Sequence, residues 1–221
     1  MKTTVKTTIT AIALALSMVV MSSKCGKDNT TPVQPALAAI TVSDLAADTI
    51  IGINPTTMQP FGAGKFTFYS LERNTIVPNT DSATNKWDIG FQGTLIITNS
   101  GTSFNGGLGG AFVQQGLFDN LTNITNDSTF RIDAAPSNYA IARGSNRAWY
   151  SYDAPNNLIN IIPGRVICVR TATGKYAKVE ILNYYKGGVT PAATASDADK
   201  LNKQRFFKFR YIYQPNGTKV F

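Results

Sequence analysis

The sequence predicts an all-β protein: a mostly antiparallel, single-domain fold with Gly-rich loops and at most a short helix. Three observations indicate this class. Glutamate, a favoured helix former, occurs only as Glu72 and Glu180. Several segments rich in β-branched and aromatic residues alternate apolar with polar positions. Turn signals that contain glycine separate these segments. A chain of 221 residues with 43% hydrophobic side chains is also large enough to bury a full core.

Residues 1–24 are predicted to be a lipoprotein-type signal peptide. Lys2 and Lys6 form a basic start, and the apolar run 9–21 that follows is too short to span a membrane. Cys25 then occupies the place at which a bacterial lipoprotein is cleaved and acylated. Lys24 replaces the small residue that usually precedes such a cysteine, so cleavage elsewhere with Cys25 unmodified is the alternative.

Residues 25–40 are predicted to be a flexible tether, because they are polar, contain Thr and Pro, and show no periodicity. The β domain then covers residues 41–221. The protein is thus expected to meet the membrane through a lipid anchor only, and to lie at the outer membrane or cell surface or to be shed from it.

The formal net charge is +8 for the whole chain. Without Lys2, Lys6 and Lys24 of the signal peptide, 18 basic residues face 13 acidic ones. This modest excess suits either a solubilising surface or an anionic ligand such as the propionates of a porphyrin. The basic residues are scattered, so no nucleic-acid partner is expected.

Five segments of the domain are predicted to be strands. They are residues 65–71, 87–98, 165–171, 176–185 and 206–213. In 178–184 and 207–213 one side of the strand is largely apolar and the other partly polar, which is typical of a half-buried strand.

Two turns are predicted from glycine positions. Thr173-Gly174 separates the runs 165–172 and 175–185 as a two-residue hairpin turn. Pro215-Asn216-Gly217 is a second turn, so the chain is expected to end in a hairpin whose last strand is Thr218–Phe221.

One helix start is predicted, at Ser196-Asp197-Ala198-Asp199, where a serine cap precedes residues 200–204. The Gly-rich stretch 99–110 matches neither a dinucleotide-binding glycine motif nor a P-loop, and it is expected to be a flexible loop between strands.

Cys168 lies inside the apolar run 166–169, where a small buried side chain is expected. A disulfide with Cys25 is therefore not expected, and two cysteines cannot build a zinc site.

The chain contains no histidine. This removes the usual general base, the usual metal ligand and every Ser-His-Asp or Cys-His site, so a non-enzymatic role is expected. Hydrolysis by paired carboxylates remains formally open, but no pair of aspartates can be placed in a shared cleft.

An aromatic set, Trp149, Tyr150 and Tyr152, is followed by Pro155-Asn156-Asn157. It allows two interpretations. The rings are either core residues entering a loop, or the wall of a flat apolar ligand site whose Tyr hydroxyls offer polar contacts or iron ligation.

Several motifs together resemble the HmuY-like haem-binding lipoproteins of the Bacteroidetes. The similarity extends from about residue 41 to the C-terminus, and its most specific parts are WDI at 87–89 and RVIxVRTxxGKYAK at 165–178. The other parts are the turn 98–101 with its Gly-rich continuation to Ala111, Trp149, and FRYIYQ at 209–214.

The resemblance implies an all-β, HmuY-like domain that takes haem from host haemoproteins and passes it to a TonB-dependent receptor. In that family two axial iron ligands, His or Met, come from separate loops. One loop follows the Gly-rich stretch and corresponds to residues 119–139 here. The other lies between Trp149 and strand 165–170 and corresponds to residues 152–157.

Neither ligand can be carried over, because His is absent and the only Met beyond the signal peptide is Met58. Tyr139 and Tyr152 are the iron-capable side chains in the two segments, since phenolate is a known haem ligand. Arg143 and Arg147 are candidates for the propionates. The candidate haem-binding residues are Tyr139, Tyr152, Tyr150, Asn156, Arg143 and Arg147.

Two functions follow. The first is haem or porphyrin binding for iron acquisition, through Tyr or without any iron bond. The second is an HmuY-fold surface protein that has lost haem and acts as an adhesion or receptor-partner protein. An apolar slot rimmed by Arg at the end that carries Tyr139 and Tyr152 favours the first, and loops packed shut favour the second.

Overall fold

The computed structural model describes residues 37–124 and 129–221. The strands are β1 (Ile40–Ala46), β2 (Gly52–Ile53), β3 (Pro60–Phe61), β4 (Thr67–Ser70), β5 (Thr75–Val77), β6 (Ile89–Gln92), β7 (Leu95–Thr98), β8 (Gly110–Gln115), β9 (Tyr150–Asp153), β10 (Leu158–Ile161), β11 (Arg165–Arg170), β12 (Tyr176–Tyr185) and β13 (Gln204–Gln214). The α-helix α1 covers Asp197–Lys203, and short 3-10 helices cover Asn79–Asp81, Phe118–Asn120 and Lys186–Gly188. The predicted signal peptide, Cys25 and most of the tether lie outside the described residues.

Every strand pair in the described part of the chain is antiparallel. A five-stranded sheet has the order β1-β13-β12-β11-β8, and a four-stranded sheet has the order β5-β4-β6-β7. Two further hairpins, β2–β3 and β9–β10, stand apart from these sheets. The prediction of a mostly antiparallel all-β fold with a short helix is confirmed. No helix within 37–124 and 129–221 has the length and apolar character that crossing a membrane requires.

The main core lies between the two sheets and is rich in aromatic rings. Phe91 of β6 lies 4.8 Å from Phe207 of β13 between ring centroids, and Tyr69 of β4 lies 5.6 Å from Phe209. Phe207, Phe209 and Tyr211 are all fully buried. These β13 residues share one face because side chains alternate along a strand, as the sequence pattern predicted.

The predicted single strand 87–98 is in fact the hairpin β6–β7. Gln92 pairs with Leu95, so the chain reverses at Gly93 and Thr94. Gly93 has a φ of +54°, a conformation that glycine adopts without a steric penalty. Apolar residues lie on both sides of Gln92-Gly93-Thr94, so this short polar interruption was not recognised as a turn.

The hairpin between β11 and β12 is confirmed, but its loop is longer than predicted. Arg170 pairs with Tyr176, and the Thr171 N–H donates to the Lys175 carbonyl at 2.8 Å. The loop is therefore 172–174 rather than a two-residue turn at Thr173-Gly174. Gly174 has the positive φ that a three-residue loop uses to return the chain.

The C-terminal hairpin was predicted incorrectly. The turn at 215–217 is present, but residues 218–221 form no strand against β13. Instead the Phe221 N–H donates to the Thr122 carbonyl at 2.8 Å, and Val220 bridges to Asn123. The C-terminal segment thus covers the outer face of the five-stranded sheet, where apolar side chains need a cover.

That outer face also buries polar groups. Cys168 is free and fully buried, as expected, and burial raises the pKa of its thiol to about 12. Lys178 lies opposite Cys168 on β12, and its ammonium donates to the carbonyls of Phe118 and Leu121 at 2.8 Å each. Burial lowers the pKa of Lys178. These bonds show that Lys178 holds the 3-10 helix Phe118–Asn120 against the sheet.

The predicted helix start is confirmed. The Ser196 side chain accepts a hydrogen bond from the Asp199 N–H at 3.2 Å, and α1 follows immediately.

Candidate functional site

The WDI motif builds the scaffold under the site. Trp87 is fully buried, and its indole N–H donates to the Ser82 carbonyl at 2.8 Å. The Asp88 carboxylate accepts the Leu71 N–H at 2.8 Å and the Ala172 N–H at 3.1 Å. Burial raises the pKa of Asp88 to about 6. Asp88 therefore joins the four-stranded sheet to the β11–β12 loop, which gives this most specific part of the resemblance a structural role.

The Gly-rich stretch 99–110 is a loop, but close packing rather than flexibility explains its glycines. Asn99 is buried and donates to the Trp87 carbonyl at 2.8 Å. A Cβ atom on Gly107 or Gly109 would overlap the backbone of Asn99. The expected loop between strands is confirmed, and its flexibility stays a prediction. Gly107 and Gly109 provide the room that the backbone of Asn99 needs.

The segment that carries Tyr139 is anchored by the buried carboxylate of Asp133. Its oxygens accept the N–H groups of Thr98 and Ala140, at 2.8 and 2.9 Å, and the Ser103 hydroxyl at 2.7 Å. Burial raises the pKa of Asp133, and these hydrogen bonds oppose that rise. Because Ala140 is the next residue, this anchor holds Tyr139 at the outer face of the four-stranded sheet.

Tyr139 lines a cavity of about 540 Å³, here called the Tyr139 cavity. The six side chains that matter for its chemistry are Phe61, Phe66, Leu95, Tyr139, Arg143 and Arg205. Phe66, Leu95 and Tyr139 also pack on the apolar cluster of Phe68, Val77, Trp87 and Ile97. The volume lies in the range of small-molecule sites, about 300 to 1,000 Å³.

The two arginines of the Tyr139 cavity differ in their partners. Arg205 donates to the Asp48 carbonyl at 2.8 Å, and its guanidinium lies 3.8 Å from the Asp48 carboxylate. Arg143 is exposed and forms no ion pair with any residue in the described ranges. Arg143 is therefore the guanidinium available to an anionic group of a ligand.

Tyr152 lies at a different place. Its side chain is 48% exposed, and its hydroxyl donates to the Asn157 side-chain oxygen at 2.8 Å. It lines a separate cavity of about 350 Å³ with Met58 and Pro60, here called the Tyr152 cavity. Tyr139 does not line this second cavity, and Tyr152 does not line the first, so the two predicted tyrosines face different spaces.

The remaining aromatic candidates belong to the core. Trp149 and Tyr150 are buried, with ring centroids 4.7 Å apart, and the Tyr150 hydroxyl donates to the Thr94 hydroxyl at 3.3 Å. Asn156 donates to the Asp153 carboxylate at 2.8 Å within the β9–β10 turn. Of the two interpretations of this set, core packing describes Trp149 and Tyr150.

Arg147 lies on the other side of the segment 139–143. Tyr139 and Arg143 line the Tyr139 cavity, whereas Ala140 and Ala142 line a third cavity of about 590 Å³ together with Arg147. This third space is here called the Arg147 cavity. The two predicted propionate partners, Arg143 and Arg147, are thus divided between two cavities.

The Tyr139 cavity fits a porphyrin with at most one axial side chain. Its phenyl rings offer apolar contact, Tyr139 offers a phenol and Arg143 a free guanidinium. A two-ligand arrangement does not fit, because Tyr152 lines another cavity. Among the residues described, no group of three or more Cys, Asp or Glu side chains could hold a metal ion.

Four of the six cavity side chains named above were not proposed from the sequence: Phe61, Phe66, Leu95 and Arg205. Phe66 falls inside a predicted strand, and its position two residues before Phe68 places both on one face. Phe61 and Arg205 carry no such signal, because they are distant in sequence from Tyr139. Arg205 donates to the carbonyls of Asp48 and Pro60, and the second of these bonds places it next to Phe61.

Comparisons with known proteins give a family match. The family model of the HmuY protein matches residues 63–195, which is more than half of the chain. No curated protein sequence matches. The matched range includes Trp87, Tyr139, Arg143 and Tyr152, and it begins after the β2–β3 hairpin.

The chain is also similar to solved structures from three bacteria. They are an apo HmuY analog from Tannerella forsythia (14% identity, 81% of this chain and 96% of that chain, TM-score 0.44), a protein described as HmuY-like and haem-binding from Bacteroides vulgatus (15%, 81% and 94%, 0.47), and a protein described as a lipoprotein from Bacteroides fragilis (15%, 83% and 94%, 0.44).

Proposed function

This chain belongs to the HmuY family, and from that premise we propose that it binds haem or porphyrin in the Tyr139 cavity. The observation that carries the proposal is the composition of this cavity, which Tyr139 and Arg143 line together with Phe61 and Phe66. An apolar wall with a few convergent polar groups is typical of sites for flat cofactors. The expectation of a non-enzymatic protein stays a prediction.

Each group has a distinct task in this proposal. Phe61, Phe66 and Leu95 exclude water from one face of the macrocycle. The Arg143 guanidinium pairs with a propionate, for which its planar fork is suited. Among the described residues that line the cavity, the Tyr139 hydroxyl, held by the Asp133 anchor, is the axial ligand, and haem supplies the iron that the cell acquires.

Tyr139→Phe is expected to weaken haem binding about tenfold or more and to abolish the high-spin ferric spectrum that Tyr ligation produces. Binding of metal-free protoporphyrin should be unchanged, because it makes no iron bond. Absorbance titration of the purified protein measures both. Tyr152→Phe is the matched control and should bind haem like the wild type. A wild-type titration without a shifted absorption band, or a loss caused by Tyr152→Phe, contradicts the proposal.

We also propose the cellular setting that the family resemblance implies. Residues 1–24 serve as the signal peptide, Cys25 carries the lipid anchor, 25–40 form the tether and 41–221 the binding domain at the outer membrane surface. A TonB-dependent receptor takes the haem from this domain for iron acquisition.

A second candidate function, contact with a protein partner, is favoured by the β2–β3 hairpin (residues 51–61). It exposes Ile51, Ile53 and Met58, whose side chains are 66%, 47% and 70% exposed. Exposed apolar side chains grouped in one projecting element are typical of interaction surfaces. Because Phe61 and Met58 line the Tyr139 and Tyr152 cavities, a receptor seated on this hairpin would lie beside a bound porphyrin.

Replacing Ile51, Ile53 and Met58 together with Ser is expected to weaken binding to outer-membrane vesicles that contain the bacterium's own TonB-dependent receptor. The expected loss is about tenfold or more, since each buried apolar side chain contributes about 1.5–3 kcal/mol. Val189→Ser, which removes an exposed apolar side chain elsewhere, is the control. Equal binding of both variants contradicts a receptor contact at this hairpin, and unchanged haem binding shows that the cavity is intact.

A further inference from the structure

Three arginine residues line the Arg147 cavity. They are Arg131, Arg147 and Arg165, and no Asp or Glu is present among the described residues around this space of about 590 Å³. Three like charges around one cavity repel each other unless an anion lies between them. Their convergence therefore needs a physical explanation.

The three arginines come from three separate segments that the fold brings together. Arg131 is held against the start of β8 by two hydrogen bonds with Ala111, both 3.0 Å. Arg165 begins β11 and pairs with Gln115 at the other end of β8. Arg147 follows a turn closed by the hydrogen bond from its N–H to the Gly144 carbonyl. Main-chain bonds thus set the positions from which the three side chains reach the cavity.

None of these three arginines forms an ion pair with a residue in the described ranges. The carboxylates that do pair are occupied elsewhere, as in Asp119 and Glu180 with Arg210. The buried carboxylates of Asp88 and Asp133 accept backbone N–H groups instead. The positive charge of the cavity is therefore not neutralised by the described part of the protein.

We propose that the Arg147 cavity is a second binding site, for a compact ligand that carries several phosphate or sulfate groups. A guanidinium matches the oxygens of such groups with two parallel N–H bonds. The partly exposed ring of Phe112 and the small side chains of Ala140 and Ala142 provide an apolar floor, which suits a phosphorylated or sulfated sugar. The site is distinct from the Tyr139 cavity, because the segment 139–143 separates the two spaces.

Calorimetric titration of the purified protein with inositol hexakisphosphate and with a trisulfated heparin disaccharide tests this site. We expect saturable binding that weakens as salt rises, and about a tenfold loss for each of Arg147→Gln and Arg165→Gln. Arg143→Gln is the control, because it removes the same charge from the other side of the wall and should bind like the wild type. Binding of only one probe supports the site and identifies whether phosphate or sulfate is its chemistry.

If all three variants lost affinity for the probes equally, the net charge of the protein would explain the binding, and the proposal would be overturned. Absence of saturable binding to both probes also overturns it. Unchanged melting temperatures show that the variants are folded, since all three side chains reach the surface. Porphyrin titration of the same variants keeps the two sites distinguishable. Arg143→Gln should weaken protoporphyrin binding, whereas a loss in Arg147→Gln would assign Arg147 to the porphyrin and overturn the separate anion site.

Discussion

Gly101→Ala is expected to lower the free energy of unfolding by about 3–5 kcal/mol. Gly101 has a φ of +51°, which is strained for alanine. A Cβ atom there would also overlap the carbonyl oxygen of Asp133. That carbonyl accepts the Thr102 N–H at 2.8 Å, and Asp133 anchors the Tyr139 segment, so the backbone cannot move without losing these bonds.

Gly187→Ala separates the cost of backbone strain from the cost of the overlap with a neighbouring atom. Gly187 has a φ of +75°, but no atom lies within 4 Å of its Cβ position, so only the backbone strain of about 1 kcal/mol is expected. Urea denaturation of both variants measures the difference. Gly101→Ala should also weaken haem binding, because Tyr139 loses its fixed position. Equal destabilisation of the two variants would show that the backbone at Asp133 can move to make room for the added methyl group, which contradicts this prediction.

Asp88 is expected to make the protein less stable as the pH rises from about 4 to about 7. Its pKa is about 6 in the folded protein against an ordinary value of 3.8, because burial disfavours the carboxylate. The folded state therefore holds the proton more tightly than the unfolded state. The contribution of Asp88 to the free energy of unfolding is complete below pH 3.8 and is lost as the pH rises through 6. The free energy of unfolding should differ by roughly 3 kcal/mol between these limits.

Asp88→Asn removes this titration while keeping the shape of the side chain. The difference in free energy of unfolding between the wild type and the variant should favour the wild type more at pH 4 than at pH 8, by roughly 3 kcal/mol. Urea denaturation at a series of pH values measures it, and carbon-13 NMR of the labelled carboxyl group reads the pKa directly. Parallel pH curves for the two proteins would mean that the Leu71 and Ala172 N–H bonds fully compensate the burial of the charge.

The central strands were predictable because their pattern is local. β12 and β13 contain segments, 178–184 and 207–213, that alternate apolar with polar positions for long enough to reveal a period of two. β11 is instead a short run of buried apolar residues, 166–169, between two arginines. The hairpins β2–β3 and β9–β10 were not predicted, because strands of two to four residues offer too few positions for a pattern. The C-terminal segment was misplaced because its partner, Thr122–Ile124, is distant in sequence.

The candidate site was predictable only in part. Tyr139 and Arg143 were proposed from the resemblance, and the structure places both in one cavity. Tyr152 and Arg147 came from the same reasoning, but each lines a different cavity. Alternation along the segment 139–143 sends neighbouring side chains to opposite sides. A sequence segment considered by itself does not show which of two cavities each of its side chains lines.

The sequence by itself determined the all-β class, the hairpin that contains the RVI motif, and the absence of histidine ligands for haem iron. Each of these depends on composition or on short periodic segments, which are properties of neighbouring residues. Only the tertiary structure decided which side chains share a space: Tyr139 with Phe61 and Arg205, and Arg147 with Arg131 and Arg165. Cavities are formed by residues far apart in the chain, so their membership depends on strand register and loop packing rather than on local pattern.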